Sequence, residues 1–343
     1  GVIQLVLNRK DDRWVVDLDN THSEVRPICP ITVGTKKGPC VPADPAIAPL
    51  VQQAHEAAIA YVNTPIGEST LRLSSYFADE GNMTALAPVN AAQADYVRSE
   101  LPRVHPELAN VPVLSAAAAF RTGFGGPDDY TDVAAGPSTR RRDADLYFYP
   151  NTLAAVKTDS AGVKAWLEKS AQRFERVDPK LASGQALVNL RVPSYNFDVL
   201  MGDPGDRFGY AIDVSQPQGR RIAELRFRGK PLDPKQAFLV VTNNYRAEGG
   251  GHFPGLDGSA TVWAAPDTNR DAVIDYVRAN KVLRRSDYTT RPWRFVPLHA
   301  RGPVTFACAA GKQDVARAAG VADVSQVRDN GDGSATCALD ASK

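Results

Sequence analysis

Three loops carry the side chains best suited to chemistry, and each follows an apolar run: Arg121 after "LSAAAAF", Tyr149 and Asn151 after "ADLYF", and Tyr245 with Arg246 after "FLVVTN". The last of them, "TNNYRAEGGGHFPG" at 242–255, sets two asparagines, an aromatic and a cation beside three consecutive glycines. Glycine lets a backbone turn sharply and lets another group come close to it. Two tyrosine rings brought face to face, Tyr149 and Tyr245, would form a slot for a flat heteroaromatic. Each stacking contact is worth roughly 1–3 kcal/mol, because every nucleobase has a π-face. Asn151 or Asn244 would read the polar edge of the base, and the glycines around Gly250 would admit the sugar against backbone. Taken singly, each feature also fits a plain structural part: a tyrosine at the rim of a core, an arginine in a surface ion pair, glycines in an ordinary loop.

Other chemistries find no support. Asp267, Asn269 and Asp271 imitate the start of a calcium loop, but Ala272 replaces the required glycine and Arg278 stands where a bidentate glutamate is needed. The five histidines form no His-Glu-x-x-His or other ligand spacing. A nucleophile elbow, a Walker loop and a dinucleotide fingerprint are all missing. No metal ligand and no catalytic residue is therefore assigned, and no cofactor is expected in this chain.

Charge and hydropathy narrow the partners. Lys+Arg 40 against Asp+Glu 39 leaves a net charge of +1, which gives no field to attract polymeric nucleic acid or an anionic membrane. No apolar run approaches the roughly 18 residues of a spanning helix, so a soluble chain is expected. Four cysteines fall as Cys29 with Cys40, around "GTKKG", and Cys308 with Cys337, in "VTFAC" and "ATCAL". Two disulfides and an oxidising compartment are the expectation, with four buried thiols as the alternative.

The elements that must position these residues read as a mixed α/β fold, an α+β mixed sheet with flanking helices. "GVIQLVLN" and "RWVVDLD" read as a hairpin around "RKDD". Asp44 and Pro45 open a helix to about 62, and a second helix is expected from Val89 to Leu101, stopped by Pro102. "ADLYFY" reads as a strand ending at Tyr149, and Ser160 as the cap of a helix carrying Val163, Trp166 and Leu167. "YNFDVLMG", "YAIDVSQP", "RIAELRFRG" and "QAFLVVTNN" read as four strands. Asp267 is expected to cap a helix to Asn280, and the tail from Pro303 to form a strand, helix, strand unit. At 343 residues one large domain with an appendage is expected.

"ADLYFYPNT", "SYNFDV", "YAIDVSQP" and "TNNYRAEGGGHFPG", with "SYFA" at 75–78 and "NAAQADYV" at 90–97, resemble the C-terminal half of bacterial periplasmic 2',3'-cyclic-nucleotide 2'-phosphodiesterase/3'-nucleotidases. The resemblance implies a fold like the 5'-nucleotidase C-terminal domain and a periplasmic location. It also implies a division into 1–43, the end strands of a truncated N-terminal metallophosphatase domain, 44–63, a linker helix, and 64–343, the base-binding domain. Two divalent metal ions are expected in the N-terminal domain, as the partner that performs hydrolysis of a small nucleotide or nucleoside substrate. "EGNM" at 80–83 comes nearest to that domain's Gly-Asn-His motif and lacks the histidine. By position the sandwich falls on Tyr149 and Tyr245, with Asn151 reading the base and Arg121 near the sugar or phosphate. The related 5'-nucleotidases have phenylalanines at both stacking positions, an arginine at the place of Glu68 and an acidic residue near Gly251, which inclines this chain to cyclic and 3'-nucleotides. Arg72 is a further match to a phosphate-side arginine. A 5'-nucleotidase or UDP-sugar hydrolase, and a non-catalytic secreted nucleoside-binding module, are the alternatives.

Overall fold

In the computed structural model, which describes residues 1–29, 40–288, 290–321 and 323–342, the run "AFLVVTN" lies at the centre of a five-stranded sheet. The strands are β1 (Val113–Ala117), β2 (Thr152–Asp159), β3 (Val199–Gly202), β4 (Ala237–Asn243) and β5 (Thr261–Thr268), in the spatial order β3-β1-β4-β2-β5. Only β1 and β4 run parallel; the other neighbours are antiparallel. The C-terminal ends of β1 and β4 therefore meet the N-terminal ends of β2 and β3 along one edge of the sheet.

The runs "LAAV" in β2 and "FLVV" in β4 are apolar because both faces are covered. Alternation sends Leu153, Ala155, Leu239 and Val241 to one face, where they pack with Val97 and Leu101 of helix α1 (Leu86–Val104). Ala154, Val156, Phe238 and Val240 face the other way and join Val163, Trp166 and Leu167 of α2 (Ser160–Ser170). Each fully buried Val, Leu or Phe among them contributes about 1.5–3 kcal/mol. A short helix α3 (Asn244–Ala247) follows β4 directly, and α4 (Asn269–Asn280) follows β5 and adds Ala272 to the α1 layer.

The chain divides into Gly1–Ala60 and Tyr61–Lys343. In the first unit the expected hairpin is present: Leu7–Lys10 pairs antiparallel with Arg13–Val16, and Asp11 and Asp12 turn with φ of 47° and 58°. Two consecutive left-handed residues match the twist of the flanking strands. Val2–Gln4 pairs instead with His22–Glu24. The Asp44 carboxylate accepts from the Ala46 amide at 2.8 Å just ahead of the helix Ile47–Val62. Cys29 and Cys40 form a disulfide, while the "GTKKG" turn lies outside the described residues. In the second unit Cys308 and Cys337 join the antiparallel strands Val304–Ala309 and Ser334–Leu339. No helix among the described residues is long and apolar enough to cross a membrane.

Several local expectations are corrected. "ADLYFY" is not a strand: a short helix, Arg140–Ala144, precedes an irregular segment, and β2 starts only at Thr152. Leu146 and Tyr147 are both buried while Phe148 and Tyr149 are both exposed, which breaks the alternation a strand would impose. Pro102 does not stop α1, which runs on to Val104. A proline in the last turn removes one hydrogen bond, and the His105 amide still closes on the Leu101 carbonyl at 2.8 Å. The caps sit one residue from their expected places: Asp159 rather than Ser160 accepts from Gly162, and Thr268 rather than Asp267 accepts from Asp271. Asp267, still inside β5, accepts from the Tyr96 hydroxyl at 2.5 Å. The four runs from "YNFDVLMG" to "QAFLVVTNN" do form strands, but Gly209–Ile212 and Ile222–Phe227 belong to a separate four-stranded sheet.

Candidate functional site

The sheet edge described above collects the site. Ala117 and Phe120 extend β1, Tyr149 and Asn151 precede β2, Tyr195 and Asp198 precede β3, and Asn243, Tyr245 and Arg246 end β4. All of them line one cavity of about 260 Å³. That volume is just below the span of about 300–1,000 Å³ usual for sites that enclose drug-sized ligands. It suits a flat ring whose substituents stay outside.

Tyr149 and Tyr245 both line the cavity and are half-exposed, at 44% and 47%. Phe120, itself in the lining, and Phe148 pack edge-on against Tyr149 at ring separations of 5.1 Å and 5.3 Å. Tyr245 rests on backbone: a Cβ at Gly250 would fall 2.4 Å from its ring, and the Gly250 amide donates to the Tyr245 carbonyl at 2.8 Å. At Gly251, whose φ is +76°, a Cβ would meet Arg246 at 2.2 Å and Asn196 at 2.4 Å. Gly250 and Gly251 are thus explained by crowding from the loop's own Tyr245 and Arg246 and from Asn196. Gly250 itself is not part of the cavity lining, and its lack of a side chain acts through Tyr245.

Beneath Tyr245 lies a buried ion pair. The Arg246 guanidinium donates to Asp198 from Nε at 2.8 Å and from Nη2 at 3.1 Å, with both side chains about 5% exposed or less. It also donates to Asn196 at 3.2 Å and to the carbonyls of Tyr195 and Gly250. Asp198 completes its set by accepting from Trp166 Nε1 at 2.8 Å. One cation therefore ties together the segments that carry Tyr195, Gly250 and Tyr245. A buried charge pair of this kind holds geometry; its net stabilisation is small beside the cost of breaking it.

The floor is polar. Asn243 caps α3, its Oδ1 accepting from the Arg246 amide at 2.8 Å while its Nδ2 donates to the Tyr147 hydroxyl at 2.8 Å. Burial pushes the Tyr147 phenol up to about 12, against the opposing pull of the Asn243 and Asn151 amides. That phenol is neutral at any physiological pH.

Of the six residues expected from sequence, Tyr149, Asn151 and Tyr245 line the cavity. Asn244 does not: its Oδ1 accepts from the Thr152 amide at 3.2 Å, fastening α3 to the start of β2. The Arg121 guanidinium is engaged by Asp129 at 3.3 Å and by the Asp128 carbonyl at 3.1 Å, and is not in the lining. Arg72 is likewise occupied, bidentate on Asp132 with both contacts at 2.5 Å. In "EGNM", Asn82 is buried and donates to the Tyr76 carbonyl at 2.7 Å, a structural use of the amide. Among the described residues no group of three or more His, Cys, Asp or Glu side chains is arranged to hold a metal ion.

Sequence reasoning passed over Tyr147, Tyr195 and Asp198 as site residues. A signal for Asp198 existed, because a carboxylate directly before the apolar "VLMG" must find a buried partner. Tyr195 is three residues upstream and carries no such mark.

An α/β domain that gathers half-exposed tyrosines, amides and a buried ion pair at one sheet edge has the makings of a small-molecule binding domain. The profile of the family described as "5'-nucleotidase, C-terminal domain" matches residues 80–258, and the chain belongs to that family. It is 37% identical over 310 residues to the 2',3'-cyclic-nucleotide 2'-phosphodiesterase/3'-nucleotidase of Haemophilus influenzae, covering 87% of this chain and 46% of that protein. The Salmonella typhimurium protein of the same name is 38% identical over 320 residues, covering 88% of this chain and 47% of its own length. The chain thus spans about half the length of these relatives. A solved Staphylococcus aureus structure with a provisional 5'-nucleotidase name matches at a TM-score of 0.50 and 20% identity, over 85% of this chain and 49% of that one; this likeness concerns the fold.

Proposed function

We propose that this chain is the base-binding part of a larger phosphoesterase, one that hydrolyses 2',3'-cyclic nucleotides to 3'-nucleotides and 3'-nucleotides to nucleoside and phosphate. The observation that carries the reading is the pair Tyr149 and Tyr245, half-exposed on one cavity and each held by its own neighbours. A nucleobase between them gains two stacking contacts, and Asn151 at the floor offers its polar groups to the base edge. Asn244 and Gly250 serve the slot indirectly, by holding α3 and by seating the Tyr245 ring.

The relatives' names support the reaction, and their greater length supports a second domain that supplies it. The described residues do not fit a divalent metal site, so no hydrolytic step is derived from them; the two expected metal ions belong to that other domain. This chain's contribution is positioning, where binding energy from the base holds the phosphate in place for groups supplied elsewhere. Exposed apolar side chains in the first unit, including Trp14 at 68% and Leu18 at 80%, support its being covered by that domain. Two disulfides support an oxidising compartment such as the periplasm.

The test is calorimetry with adenosine on the chain and on Tyr149→Ala and Tyr245→Ala. Weak binding by the wild type and a loss of at least about five-fold in each variant are expected, since one stacking contact is worth about 1–3 kcal/mol. Unchanged affinity in both variants would remove the slot. The family profile itself keeps a second reading open, a 5'-nucleotidase parent. Comparing hydrolysis of 2',3'-cyclic AMP and 5'-AMP by the full-length protein separates the two, with faster turnover of the cyclic substrate expected.

A further inference from the structure

Tyr147 is buried, lines the cavity, and has no place in the sandwich described above. Its hydrogen bonding is constrained from outside. The Asn243 Oδ1 accepts from the Arg246 amide at 2.8 Å, so the group that reaches Tyr147 at 2.8 Å is the Asn243 NH2. An amide NH2 only donates, so the phenol oxygen must accept there, and its own proton needs a different acceptor. Asn151 also lines the cavity, and its amide is near enough to draw the phenol pKa down, as the Asn243 amide does. When Asn151 directs its NH2 to the phenol oxygen, both lone pairs of that oxygen are used. With both amides donating, the phenol proton and the Asn151 oxygen are left for a ligand in the cavity that the two residues line.

Resting on the base-slot reading, we propose that Tyr147 contacts the ligand directly, donating its hydroxyl proton to a ring nitrogen of the base while the adjacent Asn151 oxygen accepts from an exocyclic amine. The pair presents a donor next to an acceptor, which is the complement of an adenine edge, where a ring nitrogen acceptor adjoins the N6 amine. Because the Asn243 bond leaves the phenol no choice of role at that contact, the recognition is set before the ligand arrives. The raised phenol pKa fits this part, since the donor keeps its proton throughout the physiological range.

The experiment is calorimetry with adenosine, 1-deazaadenosine and 7-deazaadenosine on the wild-type chain, Tyr147→Phe and Tyr149→Ala. Tyr147→Phe keeps the buried ring and removes only the hydroxyl. It is expected to weaken adenosine about five-fold, the size of one hydrogen bond. One of the two deaza analogues should bind the wild type about five-fold more weakly than adenosine and lose nothing further in Tyr147→Phe. A mere structural role would weaken all three ligands by the same factor, and that outcome overturns the proposal, as does an adenosine affinity in Tyr147→Phe within two-fold of wild type. Should Tyr147→Phe not fold, equal wild-type affinity for adenosine and both analogues overturns it. Failure of the slot reading looks different: adenosine would not bind at all, or Tyr149→Ala would bind it unchanged.

Discussion

The two walls of the cavity are built by different physics. Tyr149 sits in an irregular segment and is braced by two rings, Phe120 and Phe148, in near-perpendicular edge contacts at 82° and 89°. Tyr245 sits on a capped helical turn, lies over a missing side chain at Gly250, and depends on a buried ion pair below it. Aromatic edge contacts contribute about 0.5–1.5 kcal/mol each beyond burial and lose strength gradually as neighbours shift. A buried charge pair and a sub-contact gap have no intermediate state. The Tyr149 wall is therefore tolerant and the Tyr245 wall brittle, although the two rings have nearly equal exposure.

The largest effect should come from Asp198→Ala. It leaves the Arg246 guanidinium buried without its carboxylate and takes the acceptor from Trp166 Nε1 as well. Breaking a buried pair from one side costs about 3–5 kcal/mol, so the urea midpoint should fall accordingly and nucleoside binding should disappear with it. A loss below about 1 kcal/mol would show that the Tyr245 wall does not rest on this pair.

A smaller and more local effect is expected from Gly250→Ala. The added methyl would lie 2.4 Å from the Tyr245 ring, so the ring must swing away from its seat. The glycine's backbone is not left-handed, so the penalty comes from space alone. Stability should drop by about 1 kcal/mol, while adenosine affinity should fall about ten-fold, near the worth of a stacking contact. Wild-type affinity in Gly250→Ala would mean that the ring's position above this residue is irrelevant to binding.

The same contrast explains how much could be read from sequence. The Tyr245 loop was conspicuous because its constraints are local: Asn243, Arg246, Gly250 and Gly251 act within nine residues. The glycines marked close approach, but what approaches is the loop's own tyrosine and arginine together with Asn196. Tyr195 and Asp198 reach the site only because β3 pairs antiparallel with β1, with Val199 opposite Ala117. No short-range pattern in "SYNFDV" encodes that pairing. The segment 144–149 misled for a related reason: its apolar composition suits a strand, yet Tyr147 turns inward to Asn243, far along the chain, and long-range packing overrides local preference. The apolar run of β4 identifies a strand because burial on both faces needs no knowledge of the neighbours, whereas β2, with its short "LAAV" before Lys157, is not read as a strand from the sequence.

Arg121 tests the tolerant side and should give the smallest effect. It follows Phe120, which braces Tyr149, so a substitution there examines whether that wall transmits disturbance. Its bond to Asp129 is long at 3.3 Å, and the two side chains are 31% and 29% exposed, so loss of the pair should cost about 1 kcal/mol or less after solvent screening. Arg121→Ala is accordingly expected to bind adenosine within two-fold of wild type. Adding 3'-AMP makes the measurement decisive for the sugar or phosphate role suggested by the loop's position. With the guanidinium held by Asp129 and the Asp128 carbonyl, 3'-AMP should follow adenosine and stay within two-fold. A loss confined to 3'-AMP would mean that Arg121 leaves Asp129 for the phosphate when ligand binds. A loss shared by both ligands would mean that the disturbance passes through Phe120 and that the aromatic wall is as brittle as the one opposite.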